Sequence, residues 1–158
     1  MEELLRILSE NARLSFEQLA AMTGRTPQEV AAAMEELEAQ GIIKGYRAVV
    51  DWDKTHRDLC IARIEIKVTP KSGMGFEEIA NTIAQFDEVE EVTLMSGSYD
   101  LALTVTGKSF KEVAMFVSRR LAPLDSVQST ATHFVLRRYK EAGIVVSNNQ
   151  RDEREVYF

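Results

Sequence analysis

The stretch Leu14 to Tyr46, LSFEQLAAMTGRTPQEVAAAMEELEAQGIIKGY, constrains the fold most, because its punctuation specifies two short helices, a tight turn and a strand. Ser15 caps the first helix, Gln18 completes a capping box, and Leu19, Ala20 and Met22 supply the apolar face. Gly24 permits the turn. Thr26, Pro27 and Glu29 then open a second helix as cap, first helical residue and box partner. Val30, Met34 and Leu37 follow at helical spacing, and Gly41 ends it. This is the layout of a helix-turn-helix unit.

A second helix placed in that way lies in the major groove of DNA, where Lys and Arg neutralise phosphates and read guanine. Residues 26–40 instead hold no Lys or Arg and four acids, Glu29, Glu35, Glu36 and Glu38. Duplex contacts are therefore expected from the edges of the unit. Arg25, Lys44 and Arg47 are the nearby cations, and Thr26 and Gln28 at the helix start can donate hydrogen bonds to the backbone or a base edge.

Charge bears on the same question. The chain of 158 residues has a net charge of -6, and its first 50 residues hold five Lys or Arg against eight Asp or Glu, leaving -3 in each part. A basic arm is absent, which argues against tight nonspecific binding. Cys60 is the single cysteine, so an intrachain disulfide is excluded, and two histidines without a cysteine pair give no zinc spacing. The residues call for no metal and no cofactor. No apolar run approaches the ~18 residues of a membrane span, so a cytoplasmic protein is expected.

Residues 2–10 carry Leu4, Leu5, Ile7 and Leu8 in a helical pattern, which makes the opening unit three helices. Ile42 to Val50 is rich in strand formers, and the polar stretch 51–58 reads as a linker between a domain over 1–50 and one over 59–147. Beyond it Cys60 to Val68 alternates as a strand, Pro70 to Gly75 is a loop, and Phe76, Ile79, Ala80, Ile83 and Phe86 recur as a helix. Val89 to Ser96 and Leu101 to Thr106 form a hairpin across GSYD. Ser109 and Glu112 box a further helix that Pro123 closes, and Val127 to Tyr139 is a long last strand. The order strand, helix, strand, strand, helix, strand predicts an α+β, ferredoxin-like βαββαβ sandwich with one sheet face open to a second copy. The tail over 148–158 alternates charge and polarity and is expected to fray or bind a partner.

These residues resemble the Lrp/AsnC, or feast/famine, family of prokaryotic transcription regulators over nearly the whole chain. The carriers are ENARLSFEQLA, LEAQGIIKGYRAVVD at 37–51, and MSGSYDLALTV at 95–105, which matches the family's glycine-x-x-aspartate loop through Gly97 and Asp100. The resemblance implies an N-terminal winged helix-turn-helix domain that binds double-stranded DNA. It also implies a ferredoxin-like domain that takes an amino acid between subunits, with dimers through paired sheets that often assemble further to octamers. Two departures stand out: the chain begins about one turn into the family's first helix, and Ala33 holds a position where the family commonly has Arg.

A glycine-bearing loop with a carboxylate can hold both ends of a free amino acid, its amides taking the carboxylate and the Asp taking the ammonium. Gly97, Ser98, Tyr99 and Asp100 are thus the candidate effector loop, with Thr130 and Thr132 as hydroxyl partners on one face of the last strand. The same Gly and Asp also suit a plain β-turn. His133 lies on the opposite face as a packed or interfacial histidine, and His56 is a solvated linker residue. Arg137, Arg138 and Lys140 suit binding of phosphate or an acidic partner, and equally an exposed strand end that resists edge pairing. Some proteins of similar layout decarboxylate sirohaem, and His133, Arg137 and Arg138 would be the candidates for that chemistry, yet no cluster of acid, base and nucleophile accompanies them. No catalytic residue is assigned. A sensing module that acts on a partner protein is the other alternative, since it accounts for the acidic helix.

Overall fold

The computed structural model describes residues 1–69 and 75–146. The chain divides into two compact units, Met1–Val49 and Val50–Phe158. The expected loop over 70–75, except Gly75, and the expected tail over 148–158 lie outside the described residues.

In the first unit the helices are α1 (Glu2–Glu10), α2 (Phe16–Thr23) and α3 (Pro27–Ala39). Both capping boxes form. Gln18 N–H donates to Ser15 Oγ at 3.2 Å and Ser15 N–H to the Gln18 side-chain oxygen Oε1 at 2.9 Å. In α3, Glu29 N–H donates to Thr26 Oγ1 at 3.3 Å and Thr26 N–H returns to the Glu29 carboxylate at 2.8 Å. Each cap contributes about 1 kcal/mol relative to alanine. Gly24, at φ +67°, ends α2 in the left-handed region that a β-carbon disfavours.

The core of this unit is Leu4, Ile7 and Leu8 of α1, Leu19 and Ala20 of α2, and Val30, Ala33 and Leu37 of α3. One expectation changes here. Met22 is 53% exposed, because 100° per residue carries it to the far side of Leu19 from Ala20. Ala33 is buried, so its side chain faces the unit's own core and not the outer surface of α3.

The strand expected over Ile42 to Val50 does not form: none of those residues joins a sheet. A strand needs a ladder partner, and the Ile42 and Ile43 N–H groups both donate instead to Leu37 O, at 2.9 and 3.2 Å. This closes the end of α3 around Gly41, also at φ +67°. Ile43 then packs on the core while Ile42 stays exposed.

The second unit follows a 3-10 turn at Trp52–Lys54, where the Arg57 guanidinium lies 4.7 Å from the Trp52 ring. Its order is β1 (Cys60–Val68), α4 (Phe76–Ile83), β2 (Val89–Leu94), β3 (Leu101–Gly107), α5 (Phe110–Phe116) and β4 (Val127–Phe134). The antiparallel sheet runs β2-β3-β1-β4. This is the split βαβ arrangement expected, with the α+β class. Cys60, Ala62, Ile64, Ile66 and Val68 of β1 alternate into a core with Leu101, Leu103 and Val105 of β3, covered by Ile79 and Ile83 of α4 and Val113 and Phe116 of α5. Burial pushes the Cys60 thiol up from its ordinary value.

Three local expectations differ. Ser109 caps α5, but Glu112 accepts from the N–H of Lys108 and not from that of Ser109, so the box is half made. The helix also continues past Phe116 as a wider π turn, Val117–Leu121. The last strand stops at Phe134 because its partner begins at Cys60: Phe134 faces Ala62, Val135 N–H reaches Ile61 O at 2.8 Å, and the neighbour then runs out. Residues 140–145 turn back instead as the hairpin β5 (Lys140–Glu141) and β6 (Ile144–Val145), across Ala142 and Gly143, both at positive φ.

Candidate functional site

The outer surface of α3 follows from its buried one. With Val30, Ala33 and Leu37 inward, 100° per residue puts Gln28, Ala32, Glu35 and Ala39 along the opposite line, all exposed. Thr26 sits at the helix start, its hydroxyl donating to the Glu29 carboxylate at 3.0 Å. Those contacts from Thr26, backbone first and hydroxyl second, hold the Glu29 carboxyl below its ordinary value. Arg25 is half-buried and its N–H donates to Ala20 O at 3.1 Å.

Lys44 and Arg47 lie beyond the other end of α3, both exposed. Thirteen helical residues, about 20 Å, therefore separate Arg25 from this pair. The Lys44 ammonium folds back against Gly41, where an added β-carbon would come within 2.7 Å of it, and so faces the negative end of the α3 dipole. Tyr46 donates to Glu38 at 2.8 Å, and desolvation, followed by that bond, raises the phenol from its ordinary value.

In the second unit the loop between β2 and β3 is closed by Met95 N–H donating to Asp100 O at 2.8 Å. Gly97 and Ser98 are exposed, Tyr99 and Asp100 half-buried. Asp100 is occupied within the chain, since its carboxylate accepts the Val68 N–H at 2.8 Å where the β1–β4 register shifts. Gly97 is different: its φ is not positive, and an added β-carbon would meet nothing within 4 Å. Among the described residues neither backbone geometry nor packing requires glycine there.

Tyr99 lines a shallow cavity of about 380 Å³ on the open sheet face, with Arg63, Glu65, Glu91, Thr93 and Met95. Register puts His133, Arg63, Thr104 and Glu91 in one row across all four strands of that face. Arg63 donates to Thr104 Oγ1 at 2.7 Å and to Glu91 at 3.1 Å, and His133 Nε2 stands 3.7 Å from Glu65. Alternation along β1 already set Arg63 and Glu65 on one face, but the partners across the sheet depend on register. Thr130 and Thr132 pair with Ile66 and Ile64, so they belong to the helix-covered face and not to the cavity beside Tyr99. The structure thus groups Gly97 to Asp100 and sets the two threonines apart, with β1 between them.

The remaining candidates are structurally employed or solvated. Arg138 pairs with Glu141 and donates to Val50 O at 3.2 Å, and His56 is exposed in the linker. No described helix is long and apolar enough to cross a membrane.

Comparison with known proteins assigns each unit. Residues 61–145 match the Lrp/AsnC ligand binding domain, and residues 2–44 match a winged helix-turn-helix DNA-binding domain. The HTH-type transcriptional regulator YugG of Bacillus subtilis, itself uncharacterized, is 46% identical over 155 residues, covering 98% of this chain and 93% of that protein. The structure of AsnC from E. coli superposes with a TM-score of 0.65 at 25% identity, covering 87% of this chain and 91% of that one. A transcriptional regulator of Neisseria meningitidis, solved as its L-Met complex, gives a TM-score of 0.68 at 24% identity over 87% of this chain and 88% of that one.

Proposed function

The chain belongs to the Lrp/AsnC family of transcriptional regulators, and we infer that it couples the binding of a free amino acid, or a similar small zwitterion, to DNA binding. Residues 1–50 form the DNA-binding domain, 51–58 the linker and 59–147 the sensing domain. The observation that carries the effector site is Gly97. A glycine that the chain does not need for itself leaves room for another molecule to approach the backbone closely, and the neighbouring amides suit a carboxylate.

In this reading Asp100 holds the loop to β1 through Val68 while keeping carboxylate charge beside the site for an ammonium. Tyr99 and Ser98 flank the ligand. In this reading Thr130 and Thr132, which share the helix-covered face with Ile66 and Ile64, take no part in the site. The open face with its charged row pairs with a second copy, giving a homodimer able to assemble further. DNA contact falls to Arg25, Thr26, Gln28, Lys44 and Arg47, and a DNA-binding regulator works in the cytoplasm.

The test is anisotropy of a labelled duplex from upstream of the protein's own gene, at two salt concentrations, with and without mixed amino acids that include L-Met. A salt-sensitive affinity that changes with amino acids is expected. Absence of duplex binding even at low salt, or affinity indifferent to every amino acid, overturns the reading.

A further inference from the structure

The four acids of α3 are not equivalent. Glu29 is held by the Thr26 cap, Glu36 accepts from the Gln40 amide at 2.9 Å, and Glu38 accepts from Tyr46 at 2.8 Å. Glu35 alone has no partner among the described residues, and it alone of the four lies on the line of Gln28, Ala32 and Ala39 opposite the buried face. Seven residues of helix, about 10 Å, separate Gln28 from Glu35, which is roughly three base-pair steps. Three acids are thus drawn into hydrogen bonds with residues flanking the helix, and one is left free at the centre of the outward surface.

From this arrangement we propose that Glu35 is a specificity-determining residue that reads cytosine in the major groove. The proposal rests on the DNA-binding reading above. A carboxylate only accepts, so it needs a donor on the base edge. Guanine offers N7 and O6 and thymine offers O4, all acceptors that repel it. Adenine offers its N6 amino group but sets the N7 acceptor beside it. Cytosine offers the N4 amino donor without an adjacent acceptor, and so is the base that Glu35 fits.

Gln28 and Ala32 on the same line suit adenine and the thymine methyl group, respectively. The acid has a further effect: it is repelled by the phosphates of any duplex, so it weakens binding everywhere and is compensated only where the N4 donor is present. That raises the ratio of specific to nonspecific affinity without requiring a cation on the helix. The absence of Lys and Arg from α3 is then a means of discrimination.

The test is selection from a randomised duplex pool by the full chain, by Glu35→Ala and by Glu36→Gln. The wild type should enrich cytosine at one position of its site, with about a tenfold preference over guanine in follow-up titrations. Glu35→Ala should lose that preference at that position alone and gain nonspecific affinity, whereas Glu36→Gln should keep it. The same preference in Glu35→Ala, or its loss in Glu36→Gln as well, overturns the assignment to Glu35 while leaving DNA binding intact. A wild type that binds the pool but enriches no sequence overturns this proposal and leaves DNA binding standing, whereas one that retains no duplex even at low salt overturns the DNA-binding reading itself.

Discussion

The carboxylate of Asp100 accepts the backbone N–H of Val68 at 2.8 Å while the Asp100 N–H donates to Ile66 O at 3.0 Å, so one residue of the β2–β3 loop is tied at two points to the end of β1. Removing the carboxylate leaves a half-buried N–H without its acceptor where the register of β1 shifts. Asp100→Ala should therefore lower stability by about 1.5–3 kcal/mol, as expected for a hydrogen bond to a charged group. Asp100→Asn, which keeps an acceptor oxygen, should recover most of that loss in urea denaturation. If the Asn variant restores stability but not amino-acid binding in calorimetry, the charge itself serves the ligand.

Gly97→Ala separates folding from binding more cleanly. The added β-carbon meets no described atom and φ is not left-handed, so the midpoint of thermal unfolding should stay within the change typical of a surface substitution, about 0.5 kcal/mol. Amino-acid affinity should fall, because the methyl group occupies the approach to the loop amides. Unchanged affinity in calorimetry would place the effector elsewhere.

Arg25 stands alone at the start of α3, with Lys44 and Arg47 beyond its far end. Arg25→Ala should weaken duplex binding and reduce the slope of log affinity against log salt by about one unit, the share of one neutralised phosphate. Replacing Glu35 and Glu36 together with Gln should strengthen nonspecific binding and leave that slope largely as it is. Anisotropy titrations across a salt series read both.

Acid should loosen the first unit through its caps. The Glu29 carboxyl is held below its ordinary value of 4.5 by the Thr26 N–H and hydroxyl, and that of Glu17 by its own backbone N–H and then by Ser15. A depressed value in the folded state means stability that is present above the unfolded value and is lost as pH falls through the folded one. Helical circular dichroism of Glu29→Gln should consequently show a weaker loss below about pH 4.5 than that of the wild type. An identical acid profile would show that the cap does not govern it.

Both boxes at Ser15 and Thr26 could be read from sequence because every atom they use lies within three residues, and β1 because alternation is a local pattern. What escaped depends on partners distant in the chain. The end of β4 is set by where β1 begins, 74 positions earlier between Phe134 and Cys60. The strand formers of 42–50 stay out of a sheet because the Leu37 carbonyl takes their first two N–H groups. The hairpin over 140–145 turns on Ala-Gly, a weaker signal than Asn-Gly. At the sites, the grouping of Gly97 to Asp100 was legible. That Asp100 bonds to Val68, and that Thr130 and Thr132 share a face with Ile64 and Ile66, follows only from register.

Coupling between amino-acid binding and DNA binding is measurable in both directions, because linkage makes each ligand change the other's affinity by the same factor. Duplex affinity is titrated with and without saturating amino acid, and amino-acid affinity with and without saturating duplex. Both titrations should give the same factor, within the roughly 5- to 150-fold range common for coupled sites. A factor of one in both directions, with each ligand binding as though the other were absent, contradicts the coupling.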